Sequence, residues 1–330
     1  MSDAPRPPYA YVCEDHSLLL PFYRRHLAPL WFAPVPRWLP ANFITLASSA
    51  CMWVVFLLSL RAADFAPVPL AATFLILTQI YLGYDHVDGM QAKATGTSSA
   101  LGEYLDHSLD VYHGALVVFA ACALIGSMPP LVMLFVVWCT LQAFAATMVE
   151  EKERGALYFG KFGAVEAMIL FNAFYLSWMI PAVRAWWTSP LVFGLPAYTL
   201  LVVGGSCGCL GATVDCLRRI GRLPPSFAAY LVTSLLLTGA LARLPAPSWC
   251  AITALLLHSG DYGGRVIGSH LLRRPPVWPD FLAPGLALLA PFGPAWLPFV
   301  LVAWLALKTA WGMVTVVLPL RADWRWRNPD

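Results

Sequence analysis

Ten apolar stretches, most of them near the length that spans a bilayer, recur along the chain and are punctuated by Pro, Gly and short charged clusters. They run over 43–62, 68–92, 101–126, 129–149, 164–183, 191–216, 226–243, 247–263, 279–291 and 294–319. The pattern predicts an all-α fold, a polytopic membrane bundle of about ten transmembrane helices occupying 43–320. Ahead of it, residues 11–39 mix Leu18, Leu19, Leu20, Phe22, Leu27, Leu30, Trp31 and Phe32 with Arg24, Arg25 and His26. That mixture predicts an amphipathic helix on the membrane surface within an N-terminal segment, 1–42, and residues 321–330 read as a short tail.

Composition sharpens the reading. With 59% hydrophobic and 12% charged residues, and a mean hydropathy of +0.66, the chain lies far from the balance of a soluble domain. Basic residues then orient it, because cytoplasmic loops retain Lys and Arg. If the N-terminus is cytoplasmic, only Arg61, Arg184 and Arg243 fall on the far side, and Lys308 lies inside the last span. Both termini are therefore expected in the cytoplasm, and topology accounts for the net charge of +3. No basic-aromatic pattern points to nucleic acid. The first forty residues carry no uninterrupted apolar core with a small-residue cleavage site, so insertion through internal spans is expected. Cys13, Cys51, Cys122, Cys139, Cys207, Cys209, Cys216 and Cys250 show no CxxC or metal-finger spacing and read as small buried hydrophobes. No internal repeat or low-complexity linker divides the chain.

The chemistry is concentrated between the second and third spans, where Asp85, Asp88, Asp106 and Asp110 lie in or near membrane. An ionised side chain at the centre of a bilayer helix costs on the order of 3 kcal/mol, so four facing lipid would consume a typical folding stability. They must face the bundle interior or a hydrated cavity at the cytoplasmic end. Asp85 and Asp88 are three apart, and Asp106 and Asp110 four apart, so each pair shares a helix face and the faces can converge. Four carboxylates in one pocket repel unless hard divalent cations with oxygen ligands join them. Two such cations are also the arrangement that clamps a phosphate during in-line displacement. Gly89 and Gly102 would let backbones or a nucleotide approach closely. The rival reading is a cation-coupled transporter, which would more often spread its acids over several broken helices.

At these residues the sequence resembles the CDP-alcohol phosphotransferase family, whose signature is Asp-x2-Asp-Gly-x2-Ala-Arg-x8-Gly-x3-Asp-x3-Asp. Every spacing matches from Asp85 to Asp110, with Lys93 in place of the usual Arg, which keeps the charge and gives up the bidentate fork. The run Asp88–His107, together with Pro40–Thr45 and Ser17–Leu19, is similar to the cholinephosphotransferase and ethanolaminephosphotransferase branch. Weaker likenesses lie at Phe159–Glu166 and Ile267–Leu271. The resemblance implies transfer of phosphocholine or phosphoethanolamine from CDP-choline or CDP-ethanolamine to diacylglycerol, with release of CMP and two Mg²⁺ (or Mn²⁺) ions at work. Another lipid or head-group alcohol would use the same chemistry. It implies Asp85, Asp88, Asp106 and Asp110 as metal ligands, and Asn42, Gly89, Ala92, Lys93 and Gly102 as contacts of the CDP-alcohol. It also suggests a homodimer, in the endoplasmic reticulum or Golgi of a eukaryote or the inner membrane of a bacterium.

A lipid hydroxyl needs a proton acceptor within hydrogen-bond reach. Asp110 matches the family's last aspartate, and His107, beside Asp106, has an ordinary pKa better suited to a base; either can serve. His86 and His113 read as structural, off the aspartate faces, and Glu103 as a rim carboxylate or a group reaching a base or metal. Glu166 and His270 stand between lining the site and satisfying buried polar groups. Glu150–Arg154 reads as a solvated loop, Asp215 as the wet end of a span, and His258 and Asp261 as possible cavity lining. Tyr81, Tyr84, Tyr104 and Tyr112 near the motif do not decide between choline and ethanolamine, since aromatics make up 13% of the chain.

Overall fold

The computed structural model describes residues 12–244 and 246–328; residues 1–11, with Arg6, and the last two of the tail lie outside the described residues. Helices occur at all ten expected places. They are α3 (Ala41–Leu60), α4 (Pro67–Ala94), α5 (Ala100–Ile125), α6 (Pro130–Arg154), α7 (Ala164–Trp178), α9 (Thr199–Ile220), α10 (Pro225–Leu241), α11 (Ser248–Leu271), α12 (Leu282–Leu289) and α13 (Leu297–Leu320). Six are long and apolar enough to cross a membrane: α3, α4, α5, α6, α9 and the stretch begun by α13. Pro at the first turn starts α4 and α6, and the Ser99 hydroxyl caps α5 by accepting from the Gly102 N–H at 3.1 Å.

Four local outcomes differ from the expected pattern. The fifth span is broken: α7 stops, and α8 (Pro181–Thr188) departs at 110° where Pro181 interrupts the helix. The start of the sixth is a hairpin of β3 (Pro190–Val192) and β4 (Leu195–Pro196), turning at Phe193 and Gly194, both at positive φ. The eighth span continues to Leu271 because its polar residues are covered by neighbouring helices. The N-terminal segment is only partly helical. Its β1 (Cys13–Asp15) pairs in parallel with β2 (Leu157–Phe159), and helix runs only from α1 (Leu20–Phe22) through a π turn to α2 (Ala28–Phe32). There Leu18, Phe22 and Leu30 stay exposed while Leu20, Tyr23 and Ala28 pack inward. Cys122, Cys139, Cys216 and Cys250 are buried as expected, whereas Cys13 and Cys207 are exposed.

The bundle is centred on α5 and α6, whose most apolar windows are 72% and 67% buried; α9, at 17%, and α13, at 28%, are peripheral. α5 packs on α3, α6 and α11, α4 on α3 and α7, α6 on α9 and α10, and α11 on α13. α11 carries His258, Asp261 and Arg265 yet is largely buried, because it lies between α5 and α13. Its Gly260 lets α5 come so close that a Cβ there would overlap the Tyr112 ring. Asp88 is buried and Asp85, Asp106 and Asp110 are half-buried, although the most apolar window of α4 is only 39% buried.

Candidate active site

α3, α4 and α5 converge on a carboxylate cluster. Oxygens of Asp85, Asp106 and Asp110 lie within 4.8 Å of one another, and all three residues are half-buried. Asp88, 6% exposed, lies within electrostatic reach of that trio and accepts from Thr45 Oγ1 at 2.6 Å. Asn42, Thr45 and Ser49 share one face of α3 by helical spacing. Asn42 is buried against Gly102, with its Oδ1 3.2 Å from where a Cβ on that glycine would stand, so only glycine fits there without displacing Asn42. Gly89 is exposed and faces open space, Ala92 is half-buried, and Lys93, exposed at the end of α4, makes no hydrogen bond or ion pair among the described residues. Open space beside carboxylates and a cation at the helix end suits a nucleotide diphosphate.

Asp110 is oriented by two donors: Tyr81 O–H at 2.9 Å and His113 Nδ1 at 3.3 Å, both onto Oδ1. The far ring nitrogen of His113, Nε2, lies 2.7 Å from Ser49 Oγ. Since a carboxylate only accepts, Nδ1 carries the proton and the serine hydroxyl donates to Nε2. His113 is thus part of the site, not a bystander on another face. The reason is the i, i+3 spacing from Asp110, which brings it over the same stripe. His86, by contrast, is structural, its Nδ1 3.0 Å from the Leu82 carbonyl and its ring 4.5 Å from that of Tyr23. Tyr23 itself is buried within the N-terminal segment; burial and the Asp85 charge push its phenol up to about 12.

A second group lies beside the first. Atoms of Glu103, His107 and Glu151, all buried, come within 4.8 Å of one another. His107 Nδ1 donates to Glu151 Oε2 at 3.0 Å, and its Nε2 is directed toward Asp106, 3.9 Å from Oδ2. The sequence reading missed Glu151. Residues 150–154 are not a solvated loop: α6 continues through them, leaving Glu150 0% and Glu151 2% exposed. Glu150 is held bidentately by Arg219 at 2.6 and 2.8 Å and by Arg154 at 2.7 Å, with the Arg219 guanidinium 3.9 Å over the Tyr158 ring. The signal was present in the chain, since the first helix stop after the fourth apolar run is Gly155.

The remaining candidates separate clearly. Glu166 accepts from Leu19 N and Gly163 N, each at 2.8 Å, and so ties the N-terminal segment to α7. Glu166→Ala removes both bonds, at about 0.5–1.5 kcal/mol each. Tm should fall by several degrees and proteolysis within residues 13–32 should quicken, as thermal melts and limited digestion would show. His270 is half-buried, within electrostatic reach of Glu151 and His107. Asp215 pairs with Arg218 at the exposed end of α9, as expected. Asp261 belongs to a separate cluster, bound by Arg265 at 2.9 and 2.7 Å, with Lys308 bridging to Asp280.

Residues 38–195 match the family model for CDP-alcohol phosphatidyltransferase, a stretch that includes both acid groups. Cholinephosphotransferase 1 of Gallus gallus is 29% identical over 209 residues, 61% of each chain. Ethanolaminephosphotransferase 1 of Mus musculus is 30% identical over 198 residues, 53% of this chain and 49% of the relative. CDP-diacylglycerol–serine O-phosphatidyltransferase of Encephalitozoon cuniculi is 26% identical over 166 residues, 49% of this chain and 43% of the relative. The chain spans between about two fifths and three fifths of the length of these relatives.

Proposed function

We propose, from the match of residues 38–195 to the CDP-alcohol phosphatidyltransferase family model, that this chain transfers phosphocholine or phosphoethanolamine from CDP-choline or CDP-ethanolamine to diacylglycerol, releasing CMP. The observation that carries the reading is the pairing of a half-buried carboxylate trio with a carboxylate-held, buried histidine on the adjoining turn of α5.

Asp85, Asp106 and Asp110 offer hard oxygen donors close enough to share a small divalent ion, and Asp88 adds a fourth carboxylate within reach, so the residues fit two Mg²⁺ ions. When bound, those ions offset the charge of the diphosphate and of departing CMP. Lys93 adds an exposed cation at the end of α4, and Asn42 and the space over Gly89 receive the nucleotide. Glu151 holds His107 in the tautomer that turns Nε2 toward the aspartates. The acceptor hydroxyl oxygen bonds to the phosphorus bearing the amino alcohol and gives its proton to His107 Nε2. The bond from that phosphorus to the bridging oxygen breaks, and CMP keeps the electron pair. Asp110 is the weaker candidate for base, since Tyr81 and His113 already donate to it. Both termini would face the cytoplasm, where the nucleotide enters, while the lipid arrives from the bilayer.

The match to a CDP-diacylglycerol-dependent enzyme favours one second reading, in which the donor is CDP-diacylglycerol and the acceptor a small alcohol. Purified protein supplied with radiolabelled CDP-choline, CDP-ethanolamine or CDP-diacylglycerol separates the two. The expected result is labelled phospholipid from the first two with diacylglycerol, product from CDP-diacylglycerol and serine being the contrary one. EDTA should abolish transfer and Mg²⁺ restore it; transfer that persists in EDTA would remove the metal from the scheme.

A further inference from the structure

The turn at residues 36–39 feeds the chain into α3 and so sets where Asn42 and Thr45 stand against the aspartates. Two amides from distant parts of the chain grip its carbonyls. Gln91, fully buried on α4 between Asp88 and Lys93, directs Nε2 at the carbonyl oxygens of Pro36, Arg37 and Leu39, at 3.0, 3.3 and 2.8 Å. Asn328, 2% exposed near the C-terminus, donates through Nδ2 to Arg37 O and Leu39 O, each at 2.9 Å, and through its backbone N–H to Trp38 O at 3.0 Å. Every partner is a carbonyl oxygen, so each amide must present its nitrogen. The same tail lays Trp324 and Trp326 against Phe43 in the first turn of α3, with ring centroids 5.5 and 5.9 Å away.

We propose that the C-terminal tail is a positioning element of the nucleotide site, in which Asn328 completes the grip of Gln91 on the 36–39 turn and thereby fixes Asn42 and Thr45. The proposal rests on the reaction assigned above. Without Asn328 the carbonyls of Arg37 and Leu39 lose a donor and the turn rotates toward water, carrying the start of α3 with it. Asn42 sits close against Gly102, so even a small displacement there alters the room left for the nucleotide. The tail lies outside residues 38–195, so the clamp joins the matched domain to the far end of the chain.

The test uses the full chain with Asn328→Ala and Asn328→Asp, reading KM and kcat for the CDP-alcohol and hydrogen exchange in residues 36–45. Asn328→Ala should raise KM about tenfold, leave kcat within a few-fold and speed exchange across 36–45. Asn328→Asp, nearly isosteric, should be worse, because its carboxylate faces carbonyl oxygens. A purely structural role predicts otherwise: a lower Tm and a smaller active fraction, with KM unmoved. That result, unchanged exchange in both variants, or an Asp variant equal to wild type would overturn the proposal. Should the wild type transfer neither head group, the assigned reaction fails by itself, and exchange in 36–45 still decides whether the clamp exists.

Discussion

Asp106→Asn should lower head-group transfer by at least 10²–10³-fold, on the order seen when one preorganised electrostatic group is removed from a reacting centre. Asp106 is the residue on which the two groups meet: its carboxylate belongs to the trio with Asp85 and Asp110 and lies 3.9 Å from His107 Nε2. Loss of activity alone would not separate chemistry from misfolding, but stability can. In the metal-free protein the aspartates repel one another, so neutralising one should leave Tm unchanged or raise it. Wild-type Tm should climb with Mg²⁺ by mass action, and the variant should lose most of that rise. A variant that melts lower without metal yet still responds fully to Mg²⁺ would place the ions elsewhere.

Glu151→Gln should cost about 10²–10⁴-fold in kcat with KM for the CDP-alcohol nearly unchanged, the range expected when a histidine base loses its orienting carboxylate. Glutamine fills the same volume, but it can offer His107 an N–H and so select the wrong tautomer. It also removes the charge that would stabilise the imidazolium formed as the hydroxyl proton is taken. The experiment also decides between the two candidate bases. If Asp110 takes the proton, Glu151→Gln should retain activity within about tenfold, whereas Asp110→Asn, which also removes a carboxylate of the trio, should be severe in either case. The activity of Glu151→Gln, with Tm recorded beside it, is therefore the result that separates the two bases.

The parts of this molecule that were legible beforehand are those whose physics is periodic. Apolar runs between Pro and Gly mark helices because lipid tolerates no unpaired backbone, and all ten positions hold helix. The aspartate spacings mark a shared face because helical geometry leaves no other arrangement. What escaped was non-periodic. Glu150 and Glu151, in a run of charges, resemble any wet helix end until Arg219 and His107 are seen to reach them from other helices. The hairpin at 190–196 hides in apolar residues, although Pro190, Gly194 and Pro196 punctuate it. Grips such as Glu166 on Leu19 or Asn328 on Leu39 join a side chain to distant backbone, and such pairings leave no mark in local pattern.

The tie between Glu166 and the Leu19 N–H spans 147 residues, and the strand pairing beside it joins Cys13–Asp15 to Leu157–Phe159. At ribosomal rates of about 5–20 residues per second, the N-terminal segment emerges roughly 7–30 s before its partner exists. Throughout that interval the backbone of Cys13–Asp15 and the Leu19 N–H are without the strand and the carboxylate that later hold them, and the segment has only the bilayer surface or a chaperone to rest on. The fixed seat of the N-terminal segment against β2 and α7 is therefore a late event in biosynthesis, and a nascent chain arrested before α7 would lack it.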